Sequence, residues 1–274
     1  MSYLDKVFGL KDRVALVTGG NGRLGSEYVE ALAMSGAKVA VFDVTEKPNA
    51  KVQKLIDSGS PVISKKVNIT KKNEITAGFS SVIKDLGVPT ILINNAGLDS
   101  HPSSPVYENG PFEDYPEEVW DAVLDSHLKG SFFISQIFIK KFREAREKNG
   151  SIINISSTYG LVSPDQSIYD FRRKKGEVFF KPVGYSVAKS GILNFTRWLA
   201  EYSAPYGIRV NTLAPGGVYA GQDKEFVKEY EKRTPLGRMA ASTDYNGAIL
   251  FLASQASDYM TGSLLVVDGG WIAI

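Results

Sequence analysis

The segment RVALVTGGNGRLG, residues 13–25, decides the predicted fold. It begins with a nearly continuous apolar run, which is typical of a parallel strand covered on both faces. A glycine-rich turn follows, and the pattern over residues 26–35 is helical. Gly20, Gly22 and Gly25 match the G-x-G-x-x-G spacing. A strand, a glycine turn and a helix in this order predict a pyrophosphate site at the helix N-terminus.

Strands and helices alternate along the rest of the chain. Further strands are predicted over residues 38–42, 62–67, 90–93, 151–157, 208–213 and 264–267. Helical patterns end near residue 58 and cover residues 71–86, 117–147, 224–233 and 244–254, with one more helix opening at Tyr185. This alternation predicts an α/β protein with a doubly wound parallel sheet (Rossmann fold), helices on both faces and ligands beyond the carboxyl ends of the strands.

Length and composition indicate one domain over residues 1–274. Residues 98–115 are expected to form a loop, and residues 162–182 an ordered loop or short helices near the site. The net charge of +2 provides no footprint for nucleic acid or for a membrane surface. The absence of cysteine excludes disulfides and thiolate metal sites, and we predict no metal site. Because no apolar run could span a bilayer, we expect a cytoplasmic protein.

Two polar residues follow predicted strands at the ligand edge. Asp43 lies about 20 residues beyond the glycines, where a carboxylate can accept hydrogen bonds from the adenosine ribose and repel a 2′-phosphate. This position favours NAD over NADP, although an aspartate there can also cap a helix or form a turn. Asn68 could meet the adenine edge or could simply form a turn.

Tyr185 and Lys189 are four residues apart at the start of a helical pattern, so both side chains can point into one cleft. A tyrosine titrates near pH ~10, and lowering its pKa by about 3 requires roughly 4 kcal/mol of preferential stabilisation of the phenolate. A fixed ammonium group can supply this stabilisation. Such a tyrosine can exchange a proton with an alcohol or carbonyl oxygen at neutral pH, which hydride transfer requires. The alternative is an ordinary solvated helix face.

Six motifs occur in an order that identifies a family. They are the glycine turn after Thr18, Asn94-Asn95-Ala96-Gly97, Ser156-Ser157, Tyr185-x-x-x-Lys189, Pro215-Gly216 and Asp268-Gly269-Gly270. Over nearly its whole length the chain resembles the single-domain branch of the short-chain dehydrogenase/reductase family. The resemblance implies that Ser157 holds the substrate oxygen, that Tyr185 is the acid/base, and that Lys189 binds the nicotinamide ribose and lowers the pKa of the tyrosine.

The resemblance also implies a nicotinamide cofactor, for which Asp43 favours NAD over NADP, and a homodimer or homotetramer. Dimers of the family form through helices that correspond to residues 117–147 and 185–204. The implied cofactor-binding residues are Gly19, Asn21, Gly22, Arg23, Leu24, Gly25, Asp43, Asn68, Ile69, Asn95, Ala96, Gly97, Tyr185, Lys189, Pro215, Gly216 and Val218.

Several residues depart from the family pattern. Arg23 stands where single-domain members have glycine, and the glycines at 19, 22 and 25 match the spacing of longer, sugar-nucleotide-binding members. Asn68 replaces an aspartate, and Ala220 replaces a threonine that often touches the nicotinamide amide. His127 stands at the fourth catalytic position, which is usually asparagine. An imidazole there could still donate and accept in a water relay to Lys189.

The predicted function is transfer of a hydride between nicotinamide and a secondary alcohol or ketone. Residues 156–160, 164–166, 181–185 and 268–271 resemble bacterial oxidoreductases of flagellin-glycan and surface-polysaccharide biosynthesis. The predicted substrate is therefore a sugar or phosphorylated sugar. The basic run at residues 172–175 is either a solvated loop or the site of a substrate phosphate. The alternatives are a nucleotide-sugar epimerase or dehydratase, and an inactive cofactor-binding regulator.

Overall fold

One parallel sheet organises the chain in the computed structural model, which describes residues 2–98 and 106–273. In these residues the sheet has seven strands in the order β3-β2-β1-β4-β5-β6-β7, and every neighbouring pair is parallel. The strands are β1 (Val14–Thr18), β2 (Lys38–Asp43), β3 (Val62–Lys66), β4 (Ile91–Asn94), β5 (Gly150–Ile155), β6 (Ile208–Pro215) and β7 (Leu264–Val267). The predicted doubly wound parallel sheet is confirmed.

Helices cover both faces of this sheet. Those described are α1 (Tyr3–Phe8), α2 (Arg23–Met34), α3 (Ala50–Asp57), α4 (Lys72–Asp85), α5 (Glu117–Leu124), α6 (Gly130–Glu144), α7 (Asp170–Lys174), α8 (Val183–Ser203), α9 (Lys224–Lys232) and α10 (Asn246–Ala253). Within residues 2–98 and 106–273, no helix combines the length and the apolar character that crossing a bilayer needs.

Two apolar clusters sandwich the sheet. On one face, Tyr28 and Leu32 of α2 pack with Leu252 of α10 against alternate strand residues. On the other face, Phe79 of α4 and Phe138 of α6 pack against the remaining strand residues. Strands β1, β4 and β5 are buried along their whole length, since both of their faces are covered. This burial is why they read as continuous apolar runs in the sequence.

The strand order reverses between β1 and β4, which lie side by side at the centre of the sheet. The fully buried Thr18 hydroxyl accepts hydrogen bonds from the N–H groups of Asn95 (3.0 Å) and Ala96 (3.1 Å) and donates to the carbonyl of Ile93 (3.2 Å). The Asn95 amide in turn donates to the carbonyls of Thr18 and Gly19. These bonds hold the two strand ends together where an α/β sheet binds its ligands.

A third, smaller apolar cluster lies beyond the sheet edge. It joins Tyr169 and Phe179 of the predicted insertion to Phe226 and Tyr230 of α9, and includes Trp271 near the C-terminus. The Tyr230 and Trp271 rings stack with centroids 4.2 Å apart. Residues 162–182 therefore fold as an ordered loop with a 3₁₀ turn at Gln166–Tyr169 and the short helix α7, packed against α9.

Polar contacts strengthen the attachment of the insertion to α9. Arg233 donates to the Asp165 carboxylate at 2.6 Å and to the Ser167 hydroxyl at 2.8 Å. Lys175 pairs with Glu225 at 2.7 Å. The two segments thus form one cover over the carboxyl edge of the sheet.

The structure differs from the predicted helices in three places. Helix α2 begins at Arg23 rather than Ser26, because Gly22 is its N-cap. The helix predicted over residues 117–147 is interrupted by a π-helical turn at Asp125–Lys129. It ends at Glu144, since Arg146 and Asn149 adopt left-handed φ values of 59° and 60°. Seven residues of the predicted loop 98–115, residues 99–105, lie outside the described residues.

Replacing Thr18 by valine tests the join between β1 and β4. Valine keeps the shape but leaves two buried N–H groups without an acceptor, so we expect a loss of about 2–3 kcal/mol in unfolding free energy. Thermal denaturation should show a Tm roughly 4–12 °C lower.

Thr243→Val is the matched control, because Thr243 is exposed and should change stability by no more than about 0.5 kcal/mol. Equal stability of the two variants would contradict a structural role for the Thr18 hydroxyl.

Candidate active site

A cavity of about 650 Å³ opens at the carboxyl ends of the strands, beside the reversal of strand order. Every catalytic and cofactor-binding residue predicted from the sequence lines it. The fold therefore brings together residues that are spread from Gly19 to Val218 along the chain. Their individual roles stay predictions.

The glycine turn forms the cavity wall at the N-terminus of α2. Gly19 has a φ of +62°, and a Cβ atom on Gly25 would lie 2.1 Å from the Gly19 carbonyl oxygen, so neither position accepts a side chain. Gly20 instead packs on Val41 and does not contribute to the cavity lining among the described residues. Of the two glycine spacings in the sequence, the one at 19, 22 and 25 therefore faces the cavity.

Asp43 ends β2 within hydrogen-bonding reach of this turn. Its carboxylate accepts from the Asn21 N–H (3.0 Å) and from the N–H and hydroxyl of Thr45 (both 3.0 Å). It is the one acidic side chain among the described residues that line the cavity. The turn and ribose roles considered for Asp43 are compatible, because the carboxylate braces the glycine turn while it also borders the cavity.

Asn68 and Ile69 border the same end of the cavity. The Asn68 side-chain oxygen accepts from both the N–H and the hydroxyl of Thr70, each at 2.9 Å. Asn68 therefore forms a turn through its side-chain oxygen. The predicted contact with adenine would have to come from its amide nitrogen.

The opposite end of the cavity is closed by Pro215, the last residue of β6, and by the loop after it, which contains Gly216 and Val218. The Gly217 N–H donates to the Tyr230 hydroxyl at 2.6 Å. Arg23 donates across the cavity to the carbonyl of Tyr219 at 3.0 Å, so this departure from the family pattern joins the glycine turn to the loop.

The Gln222 side chain also stabilises this loop. It accepts from the Ala220 N–H at 2.6 Å and donates to the Val218 carbonyl at 2.8 Å. Alanine at position 220 removes a hydroxyl from the loop, but Gln222 supplies polar groups next to it.

The residues present fit a nicotinamide dinucleotide. Gly19, Gly22 and Gly25 leave space next to the backbone at a helix N-terminus, and Asp43 borders the cavity at the tip of the next strand. Buried Asn21 Oδ1 has no hydrogen-bond partner among the described residues and is a ready acceptor at this end. Ala96 and Gly97 line the section between this end and the catalytic residues.

Tyr185, Lys189 and Ser157 meet at the inner end of the cavity. Lys189 is only 5% exposed, and its ammonium group donates to the Ile155 carbonyl at 2.9 Å. The Lys189 Nζ lies 5.6 Å from the Tyr185 ring centroid. Helix α8 therefore places the phenol and the ammonium group on one face, as the four-residue spacing predicted.

The two serines after β5 have different environments. Ser156 donates to the Lys189 carbonyl at 2.8 Å and holds α8 against the strand end. Ser157 caps the next 3₁₀ turn by accepting from the Tyr159 N–H at 3.2 Å. Since the Ser156 hydroxyl is used internally, Ser157 is the better placed of the two to meet a substrate.

His127 lies in the π-helical turn and meets the Tyr185 ring edge to face, with centroids 5.7 Å apart. A Cβ atom on Gly97 would lie 2.0 Å from His127 Cε1, so the glycine makes room for the imidazole. Burial and the nearby positive charges of Lys189 and Lys181 lower the pKa of His127 to about 3. Its ring is therefore neutral at physiological pH.

The tautomer of His127 follows from its neighbour. Its Nε2 lies 2.9 Å from the Leu98 carbonyl, which can only accept, so Nε2 carries the proton and Nδ1 is an acceptor. A neutral imidazole can orient a water but does not store a proton at neutral pH. In the predicted relay to Lys189, His127 would therefore have to accept a proton at one ring nitrogen while it releases the proton from the other.

Lys181 was missed as a site residue by sequence reasoning. It lines the cavity, and its Nζ lies 4.6 Å from the Tyr185 ring centroid, closer than that of Lys189. The available signal was its position four residues before Tyr185, mirroring Lys189 four residues after it. Because Pro182 ends the extended segment and caps α8, the spacing alone could not show that Lys181 shares the cleft.

The basic run does not form the predicted phosphate site. Arg172 pairs with Glu177 at 2.6 Å, Arg173 with Asp170, and Lys175 with Glu225. Of the described residues that line the cavity, none belongs to residues 172–175. The run stabilises the insertion through these ion pairs, which favours the solvated-loop interpretation over a substrate-phosphate site.

A family model described as enoyl-(acyl carrier protein) reductase matches residues 21–272. The 2-dehydro-3-deoxy-D-gluconate 5-dehydrogenase of Escherichia coli is 31% identical, over 97% of this chain and 98% of that protein. The chain belongs to the short-chain dehydrogenase/reductase family. It is therefore an NAD(P)-dependent oxidoreductase.

Other short-chain dehydrogenases/reductases match over similar lengths. A sorbose reductase of Candida albicans is 30% identical, over 97% of this chain and 89% of that protein. A short-chain dehydrogenase from Leptospira borgpetersenii, solved with bound NAD+, aligns with a TM-score of 0.85 and 35% identity, over 99% and 96% of the two chains. A gluconate 5-dehydrogenase from Burkholderia cenocepacia, in complex with NADP and tartrate, aligns with a TM-score of 0.85 and 26% identity, over 99% and 100%.

Replacing His127 by asparagine tests the neutral, buried imidazole through the pH dependence of stability. In the native protein His127 resists protonation until about pH 3, whereas in the unfolded chain it binds a proton near pH ~6.5. The unfolded state thus binds more protons between these values, so stability falls as the pH drops through this window. From pH 7 to pH 5 the wild type should lose about 2 kcal/mol more than His127→Asn.

Denaturant unfolding at the two pH values measures this difference. The other titrating groups are common to both proteins and cancel in the comparison. Identical pH dependence of the two proteins would contradict a buried neutral His127.

Proposed function

We propose that this enzyme interconverts a secondary alcohol and a ketone on a polyhydroxy carboxylate, a sugar acid, with NAD as its preferred cofactor. The observation that carries the proposal is the placement of Tyr185 between two lysines, Lys181 and Lys189, at the inner end of a cavity that fits a dinucleotide. The relatives that act on gluconate derivatives support the substrate class.

The proposed chemistry divides the work among three side chains. In the oxidative direction Ser157 donates a hydrogen bond to the substrate oxygen, and Tyr185 as phenolate removes the hydroxyl proton. The buried ammonium of Lys189 stabilises the phenolate, and it needs no reorganisation because the Ile155 carbonyl already positions it. A nicotinamide held in this cavity would supply the acceptor for the hydride that leaves the same carbon, and the hydride donor in the reverse direction.

His127 has a supporting role in this proposal. Its unprotonated Nδ1 can accept a hydrogen bond from a water near Lys189, while Nε2 is held by Leu98. This arrangement orients the imidazole as an amide would be oriented at the same position. We therefore propose altered tuning of the proton path rather than loss of activity.

The preference for NAD rests on the surroundings of Asp43. A 2′-phosphate on the adenosine ribose would meet the Asp43 carboxylate, and the described residues around it in the cavity, 42–45 and 67–70, include no lysine or arginine. The nearest basic side chain of the glycine turn, Arg23, donates toward Tyr219 instead. Electrostatic repulsion therefore favours the cofactor without the additional phosphate.

A sugar acid fits the site better than the phosphorylated sugar predicted from the sequence. The phosphorylated sugar was predicted from the resemblance to surface-glycan oxidoreductases, and the candidate phosphate contacts were residues 172–175, whose arginines and Lys175 form ion pairs. A role in surface-glycan biosynthesis stays a prediction. The epimerase or dehydratase alternative is supported by the glycine spacing alone. The relatives named above are dehydrogenases and reductases.

Assembly into dimers or tetramers also stays a prediction. Helix α8 exposes Trp198 and Tyr202, whose rings stack 5.3 Å apart, and α6 exposes Phe132. These side chains lie on the helices that the family uses for its interfaces, which supports the proposal.

Replacing Tyr185 by phenylalanine tests the enzymatic proposal. With 5-keto-D-gluconate and NADH, kcat should fall by about 10²–10⁴-fold, because the proton donor is lost. NADH binding, measured by fluorescence titration, should stay within about threefold of wild type, since the ring remains.

Tyr259→Phe is the matched control, because Tyr259 is fully exposed and should retain wild-type kcat. Wild-type turnover by Tyr185→Phe would eliminate the proposed acid/base. NADH binding with no turnover of any sugar acid or sugar ketone by the wild type would favour the inactive regulator.

Replacing Asp43 by asparagine tests the cofactor preference. The amide keeps an oxygen for the glycine turn but removes the charge, so the ratio of kcat/KM for NAD to that for NADP should fall by roughly 100-fold. This change corresponds to about 2.7 kcal/mol, less than the ~4 kcal/mol between two unit charges 4 Å apart near a protein surface.

Asp57→Asn, an exposed acid on α3, is the control and should leave the ratio unchanged. A wild-type preference for NADP, or a ratio insensitive to Asp43→Asn, would contradict the assignment.

A further inference from the structure

We propose that Lys181 binds the carboxylate of the substrate and so makes the enzyme selective for sugar acids over the corresponding neutral sugars. This inference rests on the proposed function and assigns a residue to its substrate specificity. The relatives include proteins named for a gluconate derivative and for sorbose, so membership of the family does not decide between charged and neutral substrates.

The position of Lys181 beside the reacting group is the first argument. Its Nζ lies 4.6 Å from the Tyr185 ring centroid and lines the same cavity. A substrate whose hydroxyl or carbonyl contacts the Tyr185 phenol therefore lies within a few ångströms of this ammonium group. An ammonium group at that position offers charge-assisted hydrogen bonds to an anionic part of the same small molecule.

The rigid mounting of the Lys181 backbone is the second argument. The Gln166 side chain accepts from the Lys181 N–H at 2.9 Å and donates to the Lys181 carbonyl at 3.1 Å. On its C-terminal side Pro182 caps α8. A substrate-binding side chain on a fixed backbone loses less conformational entropy on binding than one on a mobile loop.

The charge balance of the cavity is the third argument. The charged side chains among the described residues that line the cavity are Arg23, Asp43, Lys181 and Lys189. Arg23 and Asp43 lie at the glycine turn, whereas Lys181 and Lys189 lie beside Tyr185. Lys189 is 5% exposed and donates to the Ile155 carbonyl, whereas Lys181 is only partly buried, so Lys181 is the more accessible of these two ammonium groups to a substrate.

The same cavity also has an apolar wall that can hold the rest of such a molecule. Tyr169, Phe226, Tyr230 and Met239 line the cavity there and belong to the third apolar cluster. Pockets for small molecules combine such apolar walls with a few fixed polar groups that set orientation. In the proposed complex, Ser157 and Tyr185 bind the reacting oxygen and Lys181 binds the carboxylate. Contacts at both ends of the substrate fix its orientation.

The test compares two ketones that differ at one end, 5-keto-D-gluconate and L-sorbose, in which a hydroxymethyl group replaces the carboxylate. In Lys181→Gln, kcat/KM for 5-keto-D-gluconate should fall by about 10–100-fold, mainly through KM. The value for L-sorbose should change by less than about threefold. Lys181→Arg, which keeps the charge, should recover part of the loss.

Lys174→Gln is the matched control, because Lys174 is an exposed lysine of the same segment and should behave as wild type with both substrates. Equal losses with both ketones, or an acid limb of the pH–rate profile that moves equally for both, would overturn the proposal. Lys181 would then act on the Tyr185 phenol or on the fold rather than on the carboxylate.

A binding measurement keeps this test separate from the proposed function. Tartrate and threitol, its tetrol counterpart, are titrated into the enzyme–NADH complex with nicotinamide fluorescence as readout. Lys181→Gln should weaken tartrate binding about tenfold or more and leave threitol and NADH binding unchanged. If the wild type turns over neither ketone, the proposed function fails, and selective loss of tartrate binding still supports Lys181 as a carboxylate site. Absence of tartrate binding by the wild type would overturn it.

Discussion

A buried ammonium group is the constraint around which the site is built. Lys189 is 5% exposed, and removing a charge from water is costly unless polar groups receive it. The Ile155 carbonyl at the end of β5 accepts one of its hydrogen bonds, and the Ser156 hydroxyl holds the Lys189 backbone. Helix α8 is thereby attached to the centre of the sheet by the same residue that we propose stabilises the Tyr185 phenolate. In this proposal stability and catalysis depend on one set of contacts.

A chain of buried polar groups continues this attachment below the site. Asn94 of β4 donates to Asn154 of β5 at 2.7 Å, and Asn154 donates to Thr196 of α8 at 2.8 Å. The Thr212 hydroxyl of β6 donates to the Thr196 hydroxyl at 2.7 Å. Such networks specify a single arrangement of their elements, because each unmatched group inside would be costly. They hold α8, and with it the acid/base, in a fixed position over three strands.

One wall of the site is formed by residues at the strand ends of the sheet, and the other by the cover, which consists of the insertion and α9. Glycine turn, Asp43 and Asn95 lie at strand ends, so their geometry follows from the parallel sheet. The opposite wall comes from the insertion and α9, joined by their own apolar cluster and by the Arg233–Asp165 ion pair. Lys181 lies at the junction of the two parts. Residues of the cover can therefore differ without disturbing the glycine turn or the proposed acid/base, Tyr185.

Sequence alone determined the parallel sheet and predicted which residues would line the cavity at its carboxyl edge, because apolar runs, glycine turns and the four-residue spacing of Tyr185 and Lys189 are local signals. Tertiary structure decided what depends on distant neighbours. It paired the basic run at residues 172–175 with acids from α7, the insertion and α9, and it buried His127 so that its ring stays neutral. It also brought Lys181 to the face of Tyr185 across a proline, where no periodicity applies. The interaction of two charges depends on the distance between them, and the pKa of a group depends on its burial. Neither the distance nor the burial can be read from spacing along the chain.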